Sequence, residues 1–284
     1  MNYFTLKNGV KIPALGFGVW QITDAELCKK TVATAIKDGY RLIDTAAVYM
    51  NERAVGEGIK ASGINRDELF ITSKLWVQDT GYEKTKKAIE GTLERLQLDY
   101  LDMYLQHWPY GDNIGSWKAM EEYYHQGKIK AIGVCNYTIQ HMKDLLEVAS
   151  VKPVVNQVEC HPIFQQKELR AYLKENDIYL EAWSPLGHGV QDLLSHPQFQ
   201  QIADKYGKET AQVILRWHVQ EEAIAIPKSA TPSRIKSNFD IWDFELSEQE
   251  MNVIRSIDTN QRLSADPADK EWEKSMLERV FDHF

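Results

Sequence analysis

Four side chains of different chemistry follow apolar runs of strand length. Asp44 closes Arg41-Leu-Ile-Asp44, Tyr49 stands in the loop after it, Lys74 closes Phe70-Ile-Thr-Ser-Lys74, and His107 closes Leu105-Gln-His107. Each alone has an ordinary reading: a lysine after a strand is mostly a solvated loop residue, an aspartate there caps a turn, a tyrosine packs and a histidine hydrogen-bonds. As a set they can move a proton. A phenol, with a free pKa of ~10, is too weak an acid for work near neutral pH, and a neighbouring ammonium corrects this by favouring the phenolate. The spacing therefore predicts that Lys74 lowers the pKa of Tyr49, that Asp44 holds Lys74, and that His107 orients a substrate oxygen. No serine or cysteine nucleophile is paired with a base in this scheme. The remaining histidines, His161 and His188 included, lack metal-ligand spacing, so no metal is expected.

These four can meet only if the strands that carry them end at one mouth. Apolar runs at 14–18, 40–44, 69–74, 101–107, 129–134, 154–159, 178–183 and 223–226 alternate with helical patterns, of which the first opens on a capping box at Thr23 and Glu26 and stops at Gly39. Eight such units with no linker between halves predict one (β/α)8 TIM barrel over residues 1–284, a single α/β domain whose working face is the C-terminal end of the strands. Asn8-Gly9 between two β-prone runs adds an N-terminal hairpin, and Ser247 with Glu250 caps a helix beyond the eighth unit. A dinucleotide-binding fingerprint would need a third glycine after Gly16-Phe-Gly18-Val-Trp20-Gln21, and there is none.

The composition suits this reading. The 284 residues are 43% hydrophobic, and 33 Lys+Arg against 41 Asp+Glu give a net charge of −8. A chain without a basic field is not expected to take nucleic acid or an anionic membrane as partner. Three scattered cysteines argue against a disulfide framework, and the N-terminus reads as neither signal peptide nor membrane span, so a cytoplasmic monomer is expected.

Six motifs in order then carry a resemblance: Gly39-Tyr-Arg-Leu-Ile-Asp-Thr-Ala-Ala-Val-Tyr-Met-Asn-Glu52, Ile71-Thr-Ser-Lys74, Gln106-His-Trp-Pro109, Gly133-Val-Cys-Asn136, Trp183-Ser-Pro-Leu186 and Ile226-Pro-Lys-Ser229. From about residue 3 to about 268 the chain resembles the aldo-keto reductases. The resemblance implies a catalytic tetrad at Asp44, Tyr49, Lys74 and His107, and reduction of an aldehyde or ketone by NADPH, with Tyr49 as general acid. It implies nicotinamide contacts at Asn136 and Gln157, an aromatic platform at Trp183, a pyrophosphate loop beginning at Ser184 and Leu186, and an adenosine site at Lys228, Ser229, Arg234 and Asn238. Two cations and a hydroxyl at a helix start favour NADPH. The substrate walls would be Trp20, Trp76 and Trp108, which favour an apolar or ring-bearing carbonyl compound. The chain departs from the family at Cys135, where serine is usual, at Trp183, where tyrosine is common, and at Ser237, where glutamate often meets adenine. The competing reading is a nucleotide-binding regulatory or scaffold protein of the same fold, against which the complete tetrad argues.

Residues 268–284 lie beyond the resemblance. Trp272, Met276, Leu277, Val280, Phe281 and Phe284 recur at three- and four-residue steps, predicting a short amphipathic helix that packs either outside the barrel or over its rim near Trp20 and Trp108.

Overall fold

The computed structural model describes residues 2–189 and 191–281. Gly9, at φ +84°, turns the chain between strands β1 (Tyr3–Thr5) and β2 (Lys11–Pro13), which pair antiparallel with Phe4 opposite Ile12. Positive φ costs glycine little, which is why Asn8-Gly9 reads as a hairpin.

Each of the eight apolar runs forms a strand, with β5 and β7 ending one residue past theirs: β3 (Gly16–Gly18), β4 (Leu42–Asp44), β5 (Phe70–Leu75), β6 (Met103–Gln106), β7 (Ile132–Cys135), β8 (Val155–Glu159), β9 (Tyr179–Trp183) and β10 (Ile224–Ala225). Neighbours in this order pair in parallel, and a parallel bridge from Leu15 to Ala225 joins the first strand to the last. Strand periodicity of two sorts their side chains. Leu42, Phe70, Met103, Leu105 and Val155 form one buried cluster, with Leu6 and Ile12 of the hairpin beside them. Ile43, Ile71, Tyr104, Val134 and Ala182 belong to the second, which includes the helices. The same alternation puts Asp44 in phase with Leu42, and Lys74 in phase with Phe70. Both therefore face inward at the C-terminal end of the barrel.

The helices among the described residues are α1 (Ala25–Lys37), α2 (Glu52–Ser62), α3 (Tyr82–Leu96), α4 (Asn113–His125), α5 (Ile139–Val148), α6 (Lys167–Glu175), α7 (Gln191–Leu194), α8 (Pro197–Tyr206), α9 (Thr210–Gln220), α10 (Pro232–Phe239), α11 (Glu248–Ser256) and α12 (Lys270–Glu278). The cap of α1 falls one residue later than expected: Asp24, and not Thr23, accepts from the Leu27 amide at 2.7 Å. The Ser247–Glu250 box of α11 is formed. Helix α2 buries Val55 and Ile59 together with three small residues, Ala54, Gly56 and Gly58. A Cβ on Gly56 would lie 2.2 Å from the Leu96 carbonyl oxygen, so the approach of α2 to the end of α3 requires glycine.

The tail forms the predicted helix, α12, and takes the rim position. Met276 is buried with Trp76, Val77 and Tyr110, and Trp108, Trp272 and Phe281 pack against that cluster. Leu277 and Val280 are exposed, and Phe284 lies outside the described residues.

Candidate active site

Lys74 is completely buried, which for an ammonium requires compensation. Its Nζ donates to Asp44 Oδ1 at 2.5 Å, to the Thr45 carbonyl at 2.9 Å and to the Tyr49 hydroxyl at 3.4 Å, so three donors meet three acceptors. Burial disfavours its charge, but Asp44 and then Tyr49 outweigh this and hold its pKa above the usual lysine value. The lysine stays cationic.

Tyr49 ends a single 3₁₀ turn, Ala47–Tyr49, that Met50 closes in the left-handed region at φ 57°. Its phenol does not behave as the sequence alone predicts. Burial pushes the Tyr49 pKa up to about 12, more than Lys74 pulls it down, and Asp44 adds to the rise. Lys74 is a counterweight that the desolvated site exceeds. The phenol is thus fully protonated at neutral pH, with a fixed cation ready for the phenolate once the proton leaves.

His107 presents its ring edge-on between Tyr49 and Trp76, at centroid distances of 5.7 Å and 5.3 Å. Burial first, and Lys74 second, hold its pKa well below the ordinary histidine value. A neutral imidazole remains, a hydrogen-bonding group and not a second cation.

On the strands opposite, Gln157 Nε2 donates to Asp44 Oδ2 at 2.9 Å and to Glu181 Oε2 at 3.1 Å. Asn136, in the left-handed region at φ 61°, donates to the His107 carbonyl at 3.0 Å and accepts from Trp183 Nε1 at 2.9 Å. Trp183 is thereby fixed in orientation. Cys135 is buried beneath them as a neutral thiol, burial holding its pKa well above the usual value. Ser184, also left-handed, contacts His188 Nδ1 at 3.1 Å, and the His188 ring lies 5.8 Å from both Trp20 and Trp183. That contact closes a strap beside the platform.

Lys228, Ser229, Arg234 and Asn238 lie on the segment from β10 into α10, where Ser229 Oγ accepts from the Thr231 amide at 3.1 Å. Among the described residues neither Lys228 nor Arg234 is in an ion pair. Two cations left uncompensated beside a helix start suit an anionic group. Sequence reasoning missed Glu209, just ahead of α9, which accepts from Ser237 Oγ at 3.3 Å. It brings a carboxylate next to the position where this chain has serine.

Every sequence-assigned site residue except Lys74 lines one cavity of about 1100 Å³, and Lys74 lies beneath it behind Asp44 and Tyr49. Trp20, Trp76 and Trp108 form the mouth, joined by Trp272, Met276 and Phe281 of the tail. Trp108 and Trp272 have centroids 6.0 Å apart, and Trp76 and Phe281 5.7 Å. The segment leading into the tail is tied down by Glu159, fully buried at the end of β8. Its carboxylate accepts from the Leu263 amide at 2.7 Å and from the Ser264 hydroxyl, and lies 2.9 Å from His161 Nε2.

An eight-stranded parallel barrel with a buried Asp–Lys–Tyr cluster at its C-terminal mouth, and a cationic arm beyond, defines a nucleotide-dependent oxidoreductase of the barrel class. The chain matches the Aldo/keto reductase family over residues 14–259, and it belongs to that family. It is 52% identical over 263 residues to glyoxal reductase of Bacillus subtilis (strain 168), covering 92% of this chain and 95% of that protein. It is 44% identical over 265 residues to methylglyoxal reductase DkgA of Escherichia coli (strain K12), with 92% and 95% covered. Among solved structures it is similar to a Bombyx mori aldo-keto reductase in complex with NADP, at a TM-score of 0.88 and 31% identity over 96% of each chain. The protein is an NADP(H)-dependent oxidoreductase that reduces aldehydes or ketones to alcohols. The alternative, a regulatory or scaffold protein of this fold, is not favoured.

Proposed function

We propose that Asp44, Tyr49, Lys74 and His107 are the catalytic set, with Tyr49 as the proton donor to the carbonyl oxygen. The observation that carries this is the buried Lys74 ammonium between Asp44 and the Tyr49 hydroxyl, with Tyr49 lining the cavity and Lys74 beneath it. NADPH supplies the hydride when bound. The donor set fits it: Asn136 and Gln157 have amide groups at the nicotinamide end, Trp183 offers a fixed aromatic face, Ser184 and Leu186 flank the strap, and Lys228 and Arg234 with Ser229 and Asn238 form the arm for the adenosine phosphate. Neutral His107 then hydrogen-bonds the substrate oxygen and aims it at Tyr49. As the proton leaves Tyr49, the Lys74 charge stabilises the phenolate in a water-poor site, where it acts most strongly.

The substrates are aldehydes and ketones that fit between Trp20, Trp76 and Trp108, and these walls favour apolar or ring-bearing compounds. The activities named for the two bacterial relatives bring small dicarbonyls such as glyoxal and methylglyoxal within range. We further propose that the chain acts as one domain with an appended tail from about 268 to 284, and as a cytoplasmic monomer. Support comes from the scatter of exposed large apolar residues around the barrel wall, where Leu27, Tyr82, Ile114 and Val148 sit on four different helices, and from three buried free cysteines. Among the described residues no helix is long and apolar enough to cross a membrane. The test is NADPH oxidation with a panel spanning glyoxal, methylglyoxal and aromatic aldehydes, run in parallel with NADH. Turnover with aromatic aldehydes and preference for NADPH are expected. Absence of turnover across the panel would overturn the reading.

A further inference from the structure

Strand β9 carries a glutamate where an apolar residue belongs. Period two puts Tyr179, Glu181 and Trp183 on one face, and Glu181 is completely buried, beside Gln157 of β8 in register. A buried carboxyl group is costly unless it is hydrogen-bonded and compensated. Glu181 has no ion-pair partner of its own among the described residues, because the nearest ammonium, Lys74, is engaged by Asp44. Its Oε2 accepts from Gln157 Nε2 at 3.1 Å, and its Oε1 is buried without a partner. Neither the tetrad nor the cofactor contacts account for this group.

The geometry of Gln157 does. A primary amide has two N–H donors and one carbonyl oxygen. One donor meets Asp44 and the other Glu181, so both are committed to the barrel interior. We propose that Glu181 is a positioning residue: with Asp44 it clamps the Gln157 amide from two sides, so that Gln157 can present only its oxygen, as an acceptor, to the carboxamide NH₂ of the nicotinamide. The proposal rests on the reading that Gln157 meets that carboxamide. Asp44 alone leaves the amide free to swivel about a single hydrogen bond; the second carboxyl removes that freedom. The groups facing Glu181 are Asp44, Lys74, Gln157 and Cys135. Burial and then Asp44 push its pKa up to about 8, so at neutral pH it accepts from Gln157 without placing a second full charge beside Asp44.

The experiment measures Kd by quenching of protein fluorescence for NADPH and for its 3-acetylpyridine analogue, in which a methyl replaces the carboxamide NH₂. The wild type is expected to prefer NADPH by roughly 2- to 10-fold, the worth of one hydrogen bond. Gln157→Leu and Glu181→Leu should each abolish that preference. Glu181→Gln, which keeps an acceptor in place, should retain it. A Glu181→Leu protein that keeps the wild-type ratio, or that binds both nucleotides more weakly by the same factor, overturns the proposal while leaving the Gln157 contact intact. Loss of preference in Glu181→Gln also overturns it, since the acceptor oxygen would then not be the cause. If the wild type shows no preference, the Gln157 reading itself has failed and the clamp falls with it. Should Glu181→Leu not fold, the wild-type apoprotein carries the test by nuclear magnetic resonance. Two protected side-chain amide protons on Gln157 are expected, and one rapidly exchanging proton would overturn the clamp.

Discussion

The Lys74 ammonium lies 3.4 Å from the Tyr49 hydroxyl and donates to its oxygen, the atom that becomes negative when Tyr49 gives up its proton. Because Asp44 and the Thr45 carbonyl hold the lysine from behind, its charge is in place before any substrate arrives. Such fixed charge aimed at a developing anion needs no reorganisation during the reaction. Yet burial keeps the resting phenol protonated.

That balance can be titrated. With the Tyr49 pKa pushed up to about 12, the phenolate absorption of the apoprotein minus that of Tyr49→Phe should appear only well above the ~10 of a free tyrosine. A difference titration centred near pH 8 would show that Lys74, and not burial, dominates.

Glu181 gives a stability prediction of definite sign. Its folded pKa, pushed to about 8, lies above the unfolded value near 4.5, so its contribution to stability is fully present below about 4.5 and is lost as pH rises through about 8. Glu181→Gln cannot ionise and escapes that loss. The variant should gain stability over the wild type as pH rises from 5 to 8, at about 1.4 kcal/mol per unit across that window, as an order of magnitude. Denaturant melts at pH 5 and pH 8 that show a constant difference would contradict this.

Lys228→Ala combined with Arg234→Ala should weaken NADPH selectively, because NADH has no 2′-phosphate. Each charge-assisted contact is worth ~1.5–3 kcal/mol, with the low end expected for exposed side chains. The NADPH:NADH preference should fall by at least roughly tenfold in fluorescence titration. Equal weakening of both nucleotides would make the two cations structural.

The contact between Trp108 and Trp272 makes the tail part of the mouth. Truncation after Pro267 should therefore shift KM across a series of carbonyl substrates of different size, at nearly unchanged NADPH affinity. Loss of thermal stability with an unchanged substrate profile would return the tail to simple external packing.

Much of this was legible in the sequence, for physical reasons that can be named. Fully buried parallel strands appear as apolar runs, so all eight stood out, and with them the ends that bear Asp44, Lys74 and His107. Helix α2 is marked less plainly, because Ala54, Gly56 and Gly58 make contact by smallness and leave Val55 and Ile59 as the large apolar residues of its buried face. The Tyr49 pKa was misjudged because pairwise charge can be read from residue types, whereas desolvation depends on how closely the barrel packs. Glu181 and Glu209 were missed for related reasons. Glu181 did leave a signal, a charged residue at an inward position of Tyr179-Leu-Glu-Ala-Trp183. Glu209 gave none, since its meeting with Ser237 is made by tertiary packing alone.

The central claim is that Tyr49 donates the proton, and Tyr49→Phe tests it by removing one oxygen and little else. Steady-state reduction with a preferred aldehyde should lose at least ~100-fold in kcat, the scale of a positioned acid, while NADPH binds within a few-fold of the wild type in fluorescence titration. Retention of most of the wild-type kcat in that variant would contradict the mechanism.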